Sequence, residues 1–331
     1  MKFIKEKYRK IDLLTKQHYI KLIKDKFEKE LSKELDLIRV SAPLVVTQES
    51  GLQDDLSGME RPVKFDIAKD GKELEIVQSL AKWKRMALKK YDIATHKGIY
   101  TDMQAIRRDD KVDEIHSIYV DQWDWEKVIE KQDRTLDYLK TVVKSIVKAI
   151  SATSEYLQKK GFDAIDISKE VYFVTSQQLL DMYPTASEKE REYLITKRYK
   201  TVFIMQIGDV LSLGKPHDLR APDYDDWSLD GDLLFYHEVL DMALEISSMG
   251  IRVDKDTLRM QLEKSGKQER LQYAFHKAVC EDKLPLSIGG GIGQSRLCML
   301  LLGRAHIGEV QASYWDERTL QYCKQQDIEL L

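Results

Sequence analysis

The stretch GGGIGQSR at residues 289–296 is the sharpest local feature of the chain. Four glycines in five residues let a ligand or another backbone segment approach closely. The glycine spacing does not match GxGxxG, the dinucleotide-binding fingerprint. It does not match a P-loop either, because no Gly-Lys-Ser/Thr follows. A helix predicted from Gln294 would offer free N–H groups to an anion, and Arg296 would add a guanidinium suited to phosphate. The alternative is a tight packing turn with a surface arginine.

Outward from this stretch, hydrophobic periodicity predicts alternating strands and helices. Strands are predicted at Leu37–Val46, Leu74–Val77, Thr101–Arg107, Ser117–Trp125, Val171–Thr175, Thr201–Ile207, Leu233–Tyr236, Ala243–Val253 and Leu286–Ile288. Helices are predicted around Ile20–Leu31 and at Ser79–Lys89, Leu136–Leu157, Ser187–Arg198, Asp256–Lys264, Glu269–Lys283 and Gln294–Leu302. Several strands follow one another without a helical crossover. This order favours an α+β fold, an antiparallel β-sheet flanked by helices, in a single domain spanning 1–331.

Composition narrows the classes of function. The chain has 331 residues, 43% of them hydrophobic, which excludes a disordered protein. Its net charge of −3 argues against a dedicated nucleic-acid binder. The three cysteines have no CxxC spacing and fit a reducing compartment. No apolar run approaches the ~18 residues of a membrane span, so we expect a cytoplasmic protein with no membrane and no nucleic-acid partner.

Polar residues at the ends of two predicted strands suggest a pocket. Arg107 ends a strand whose residues Met103 and Ala105 share its face, and a half-buried cation usually has an anionic partner. Gln122 and Asp124 continue an apolar strand face, which predicts a sheet that is core at one end and pocket at the other. The alternatives are a structural ion pair for Arg107 and a solvent-exposed face for the other two residues.

Two acids and two serines lie on adjacent predicted strands: Asp232, Glu245, Ser247 and Ser248. Two neighbouring carboxylates repel each other unless they share a proton or a metal ion. Oxygen ligands would suit Mg²⁺, which keeps water and substrate phosphate in its shell. Two separate surface acids are the alternative.

Two further segments are unusually charged. Residues 220–227 (RAPDYDDW) place three carboxylates beside two aromatic rings, and residues 78–85 (QSLAKWKR) place three cations on about two helical turns. The alternatives are a solvated acidic turn and a helix face whose lysine stems cover apolar surface.

Taken in order, these segments resemble a known family. The strand with Pro43, the strand ending in Arg107 and the glycine stretch with Arg296 resemble the three signature motifs of class II aminoacyl-tRNA synthetases. The match is closest to a relative of that group, the ammonia-dependent asparagine synthetases (aspartate–ammonia ligases). The matching stretches are QDDLSG (53–58), SLAKWKR (79–85), YVDQWDWE (119–126), RAPDYDDWS (220–228), EISSMGIRVD (245–254) and IGGGIGQSRL (288–297).

The resemblance implies a class II synthetase-like catalytic fold and a set of roles. Arg107 and Arg296 would hold the ATP phosphates and, with Asp54, form the catalytic set. Asp232 and Glu245 would hold Mg²⁺. The aspartate site would comprise Asp54, Ser79, Lys84, Gln122, Asp124 and Ser248. The ATP site would add Arg220, Asp225, Glu245 and Ser247 to the two arginines.

The implied reaction is amidation of L-aspartate by ammonia through a β-aspartyl-adenylate, with release of AMP and pyrophosphate. The loop Gln48–Gly58 is a candidate lid, and Pro43 with the first helix would form a homodimer interface. Two departures from the family pattern stand out. Gln78 replaces a His that usually precedes SLAKWKR, and only Leu229 and Asp230 separate Ser228 from Gly231.

Two alternatives share this fold. A class II aminoacyl-tRNA synthetase would transfer the acyl group to tRNA, but the motifs leave no room for an anticodon-binding domain. A non-catalytic paralogue would bind aspartate or asparagine and AMP, but both arginines and both acids are retained. Pyrophosphate release with ATP, aspartate and ammonium discriminates between these possibilities.

Overall fold

The computed structural model describes residues 3–57 and 60–331. The strands are β1 (Leu37–Arg39), β2 (Val45–Val46), β3 (Lys64–Asp66), β4 (Glu73–Ile76), β5 (Gly98–Ile106), β6 (Tyr119–Val128), β7 (Tyr172–Thr175), β8 (Thr201–Met205), β9 (Asp225–His237), β10 (Met242–Arg252) and β11 (Ser287–Gly293). The α-helices are α1 (Leu13–Leu35), α2 (Ala81–Lys90), α3 (Leu136–Lys159), α4 (Ser176–Met182), α5 (Glu188–Tyr199), α6 (Lys255–Lys264), α7 (Ala274–Cys280), α8 (Gln294–Leu302) and α9 (Glu317–Gln325).

The main sheet is mostly antiparallel, which confirms the predicted fold class. Its eight strands run in the order β1-β5-β6-β11-β10-β9-β8-β7, and only the outermost pairs, β1 with β5 and β7 with β8, are parallel. A smaller antiparallel sheet has the order β2-β4-β3. The long strands β5, β6, β10 and β9 form the centre, with β11 between β6 and β10. Side chains on one face of these five neighbouring strands therefore lie close together.

One face of the main sheet is apolar and packs on α1 and α3. On α1, Ile23, Phe27 and Leu31 are fully buried at helical spacing, as the sequence predicted. Past the end of α3, Gly161 adopts a φ of 85°, a left-handed conformation that commonly ends a helix. Ser187 caps α5 and forms a capping box with Glu190.

The opposite face changes from apolar to polar along each strand. Val120 on β6 packs against an apolar cluster that includes Met103 and Ala105 on β5. Gln122 and Asp124 follow at alternate positions, so they lie on the same face as Val120. On the polar half of this face, side chains such as Gln122 and Asp124 therefore point into a region that the rest of the protein encloses.

The glycine stretch is strand rather than the predicted turn. Gly289, Gly290 and Gly291 lie inside β11, which pairs with β10 on one side and β6 on the other. A Cβ at Gly290 would lie 2.5 Å from the Cβ of Met249, and one at Gly291 would lie 2.3 Å from Oε1 of Gln122. Glycine is required here because neighbouring strands crowd β11, and none of these glycines has a positive φ.

Several other element predictions were wrong in extent. The strand predicted at Leu37–Val46 is two short strands in different sheets, and Pro43 lies between them. The helix predicted at Glu269–Lys283 is a 3₁₀ turn followed by α7, divided at Tyr273. The strand predicted at Leu233–Tyr236 is only the end of β9. The predicted loop Gln48–Gly58 begins with a 3₁₀ turn, and Gly58 lies outside the described residues. Strand β3 and helices α4 and α9 were not predicted.

None of the helices within residues 3–57 and 60–331 combines the length and the apolar character that crossing a bilayer requires.

Candidate active site

A cavity of about 530 Å³ opens on the polar face of the main sheet. Strands β6, β10 and β11 form its floor, with the start of α8 at one end. Residues of the segments 54–57 and 218–225 form part of its wall. Most of the residues singled out in the sequence line it: Asp54, Ser79, Lys84, Arg107, Gln122, Asp124, Arg220, Asp225, Glu245, Ser248 and Arg296.

Two of the predicted site residues, Ser247 and Asp232, do not line this cavity. A β-bulge between Glu245 and Ser247 shifts the register of β10. Ser247 therefore pairs with Leu233 and Ile292, both in the apolar core, and its side chain lies on the core face. Asp232 pairs with Ser248, so it shares the cavity face but lies behind the lining.

Lys84 and Asp124 form a buried ion pair in the floor. The Nζ of Lys84 donates to Oδ1 of Asp124 at 2.7 Å and to the carbonyl oxygen of Gly290 at 2.9 Å. Burial lowers the pKa of Lys84, and Asp124 acts in the opposite direction. The second oxygen of Asp124, Oδ2, is buried and accepts no hydrogen bond within the described residues. A buried acceptor of this kind suits a cationic ligand group.

Arg252 holds the deeper part of the floor together. Its guanidinium donates to both oxygens of Glu126, at 2.9 Å and 2.7 Å, and to Oδ1 of Asp225. Ser287 donates to Glu126 as well. Neither Arg252 nor Glu126 was predicted as a site residue, although Glu126 follows Asp124 by two residues and so shares its strand face. Asp225 lines the cavity, but Arg252 already occupies its Oδ1.

Three further arginines, Arg107, Arg220 and Arg296, line the cavity and are together called the arginine end. Arg107 donates from Nε to the carbonyl oxygen of Gln78 at 3.3 Å. Arg296 donates to the carbonyl oxygen of Glu245 at 3.1 Å, and its Nη1 lies 3.9 Å from a Glu245 carboxylate oxygen. Arg220 is ion-paired with Asp232. Three arginines in one cavity suit a polyanion such as a triphosphate.

The start of α8 is not a free anion site. The N–H of Ser295 donates to Oδ1 of Asp121 at 3.0 Å, and Gln311 donates to the same oxygen. A carboxylate of the chain itself therefore occupies part of this helix end. The prediction that this helix end offers free N–H groups to an anion is therefore wrong for the N–H of Ser295. The guanidinium of Arg296 is the group that faces the cavity.

Asp54 lies in the wall of the cavity and is buried. Its Oδ1 accepts the N–H of Leu56, while Oδ2 is buried without a hydrogen-bond partner in the part of the chain that is described. Burial raises the pKa of Asp54, and the nearby Lys82 opposes this shift. Gln78, which replaces the usual His, donates to the carbonyl oxygen of Asp54 at 2.6 Å. This amide supports the backbone of the wall.

Asp232 and Glu245 are the candidate magnesium ligands. They lie on the neighbouring strands β9 and β10, and burial raises the pKa of Asp232 while Arg220 opposes the shift. The Oδ1 of Asp232 is buried and has no partner within the described residues. The described part of the chain contains no group of three or more His, Cys, Asp or Glu side chains that could hold a metal ion. One or two carboxylates with substrate phosphate fit Mg²⁺, so this donor set is compatible with the ion.

Comparison with known proteins identifies close relatives. The family model described as aspartate-ammonia ligase matches residues 14–327. The chain is 53% identical over 323 residues to the aspartate–ammonia ligase of Ruminiclostridium cellulolyticum, covering 97% of this chain and 96% of the relative. It is also 53% identical over 329 residues to the Clostridium tetani enzyme of the same name, covering 99% and 96%.

Solved structures show the same fold at low sequence identity. The asparaginyl-tRNA synthetase of Pyrococcus horikoshii, complexed with asparaginyl-adenylate, superposes with a TM-score of 0.65 at 15% identity. The Entamoeba histolytica asparaginyl-tRNA synthetase, also with asparaginyl-adenylate, gives 0.64 at 14%. In both cases the alignment covers 90% of this chain and about two thirds of the synthetase, 68% and 66%. This likeness establishes the class II catalytic fold.

Proposed function

This chain belongs to the aspartate–ammonia ligase family, and from that premise we propose that the cavity described above binds all three substrates. The protein is a carbon–nitrogen ligase that makes L-asparagine from L-aspartate, ammonia and ATP. The observation that carries the assignment to this cavity is its polarity. Buried carboxylates with open oxygens and three arginines line this same cavity.

At the floor, the aspartate substrate would meet charges of both signs. The free oxygens of Asp54 and Asp124 are suited to its ammonium group, with Gln122 as a further acceptor. Lys84, held by Asp124, is suited to one of its carboxylates. Ser79 and Ser248 supply hydroxyls at the edge of this subsite. The burial of the subsite strengthens each electrostatic contact.

At the arginine end, Arg107, Arg220 and Arg296 would neutralise the ATP phosphates, and Glu245 would lie beside them. The β-carboxylate of aspartate then attacks the α-phosphate and pyrophosphate leaves. This step needs positioning and charge neutralisation more than covalent participation by the protein. Asp232 and Glu245 would hold Mg²⁺, which supplies further neutralisation of phosphate charge when bound. Asp225 and Ser247 would contribute by orienting the floor and the strand rather than by direct side-chain contact.

In the second step, unprotonated ammonia attacks the activated carbonyl and AMP leaves. Water must be excluded, because it would hydrolyse the β-aspartyl-adenylate. The segment that carries Asp54 forms part of the cavity wall, which supports its proposed role as a lid. The raised pKa of Asp54 also makes it a better proton acceptor than an ordinary carboxylate, as a secondary role.

Three further features of the protein are proposed. One apolar core extends from Ile20 to Ile328, which supports a single catalytic domain. Leu14, on the first helix, is 82% exposed, and Leu44, beside Pro43, is 51% exposed. These exposed apolar side chains support a homodimer interface there. The three cysteines are free, which fits a cytoplasmic location.

The test is product analysis of a single reaction mixture containing the purified protein, aspartate, ammonium and Mg-ATP. We expect asparagine, AMP and pyrophosphate in equal amounts without added tRNA. ADP and phosphate would overturn the adenylate route, and a requirement for tRNA would restore the synthetase alternative. Glutamine should not replace ammonium, because a glutaminase commonly needs an activated cysteine nucleophile, and none of Cys280, Cys298 and Cys323 lines the cavity.

A further inference from the structure

A buried ionic cluster lies behind the wall of the cavity and has no part in the chemistry described so far. Its centre is Asp223, which is fully buried. One oxygen of Asp223, Oδ2, accepts from Lys82 at 3.1 Å, from Arg270 at 2.9 Å and from Nε2 of His276 at 2.9 Å. Burial alone would raise the pKa of Asp223, but these partners hold it well below its usual range.

Arg270 connects this cluster to the wall segment that carries Asp54. One arm of its guanidinium bonds Asp223, and the other forms an ion pair with Asp55. Asp55 is the immediate neighbour of Asp54, while Tyr224 and Asp225, which follow Asp223, line the cavity. A planar fork that joins two carboxylates fixes their separation, which a point charge such as an ammonium does not do.

The backbone of the wall segment docks on the same region. A Cβ at Gly51 would lie 2.5 Å from the Cβ of Tyr273, so residues 51 and 273 are in tight contact. Leu52 packs against an apolar cluster that contains Phe275 and Val279 of α7. The segment is therefore seated on residues 267–279 at two points, and Arg270 adds an ion pair to Asp55, the residue next to Asp54.

We propose that Arg270 is a positioning residue, which ties Asp55 to Asp223 and thereby fixes Asp54 in the wall of the aspartate subsite. The inference rests on the proposed role of Asp54 in binding aspartate. Arg270 and Asp55 do not line the cavity, so their effect passes through Asp54. Loss of the bridge would let the wall segment move while the floor and the arginine end stay in place.

The chain offers matched variants for a test. Arg270→Gln removes the bridge, and Asp223 retains Lys82 and His276 as partners, so the fold should survive. Asp55→Asn removes the other end of the bridge without touching the buried cluster. Lys267 also forms an ion pair with Asp55, but it forms none with Asp223 in the described part of the chain. Lys267→Gln therefore removes a second cation from Asp55 without removing a partner of Asp223. Arg259→Gln, an exposed arginine on α6, is the surface control.

Two measurements on each full-length variant decide the matter. The first is hydrogen exchange of peptides covering residues 48–57, and the second is the split between KM and kcat for aspartate. For Arg270→Gln and Asp55→Asn we expect about tenfold faster exchange in those peptides alone, and about a tenfold rise in the KM for aspartate with the KM for ATP unchanged. The double variant should be no worse than the worse single variant. Lys267→Gln should have a smaller effect, and Arg259→Gln none.

The two measurements separate failure of this inference from failure of the proposed function. Unchanged exchange in residues 48–57 of Arg270→Gln, or faster exchange throughout the protein, would overturn the positioning role. Faster exchange confined to that segment with a normal KM for aspartate would uphold the bridge and remove Asp54 from the aspartate subsite.

Discussion

The floor and the arginine end of the cavity use the same kinds of side chain in different ways. In the floor, Arg252 is 2% exposed and its guanidinium is satisfied by Glu126 and Asp225. At the arginine end, Arg107 and Arg296 are only half-buried and donate mainly to backbone carbonyls. Both regions contain arginine, but only the second has guanidinium capacity left for a ligand.

This difference shows that arginine side chains in a cavity can have two roles. A buried, fully paired arginine holds strands together, and removing it leaves uncompensated carboxylates inside the protein. A half-buried arginine with weak protein partners contributes little to folding and is available to a substrate anion. The contrast predicts that variants in the floor change stability and variants at the arginine end change turnover.

The largest effect is expected at the floor. Arg252→Met would leave Glu126 and Asp225 buried without their partner, so the free energy of unfolding should fall by about 3–5 kcal/mol. Urea denaturation of the variant measures this change. Arg39→Met, which breaks an exposed pair with Asp102, is the control and should cost less than about 1 kcal/mol. A normally stable but inactive Arg252→Met protein would place Arg252 among the substrate-binding groups and remove the contrast.

Arg296→Ala should show the reverse behaviour. We expect turnover to fall roughly 10²-fold, as when a charge-stabilising donor is removed from an active site, with little change in thermal stability. Steady-state kinetics and a melting curve on the same preparation test both parts, with Arg318→Ala on α9 as the exposed control. Near-normal turnover would exclude Arg296 from the phosphate site.

Neighbouring glycines of β11 sharpen the comparison within one strand. Gly290→Ala would press on Met249 in the apolar core, so it should destabilise the protein by about 1–3 kcal/mol. Gly291→Ala would displace the amide of Gln122 in the cavity, so it should lower kcat/KM for aspartate roughly tenfold with a smaller loss of stability. Equal losses of stability in the two variants would mean that the cavity face is as rigidly packed as the core.

The last prediction concerns pH and the wall of the cavity, and it requires no substitution. Because ammonia rather than ammonium attacks the adenylate, kcat/KM for total ammonium should rise by up to about tenfold per pH unit between about pH 7 and 8.5. Burial raises the pKa of Asp54, so any protonated fraction of this carboxyl also falls over the same range, and both changes have the same sign. A flat profile at saturating aspartate and Mg-ATP would instead show that the enzyme captures ammonium and deprotonates it, with Asp54 as the base.

The candidate site could be predicted from the sequence where a local pattern carries it. Alternation along β6 placed Gln122 and Asp124 on one face, and the structure shows both in the lining of the cavity. Strand alternation could not place Ser247, because the bulge after Glu245 reverses the faces of β10. Strand alternation also could not show that β11 needs glycine because there is no room for a Cβ. That crowding comes from side chains of β6 and β10.

The sequence by itself determined the family, the α+β class, the periodicity of the major helices and eleven of the residues that line the cavity. These follow from local spacing and from motifs whose residues lie close together in the chain. Only the tertiary structure decided which charges are paired. Glu126 meets Arg252 across 126 positions, and Asp55 meets Arg270 across 215. Burial and pairing depend on contacts between strands and segments that are remote in sequence, and those contacts separate an arginine that holds the fold from one that is free to hold a phosphate.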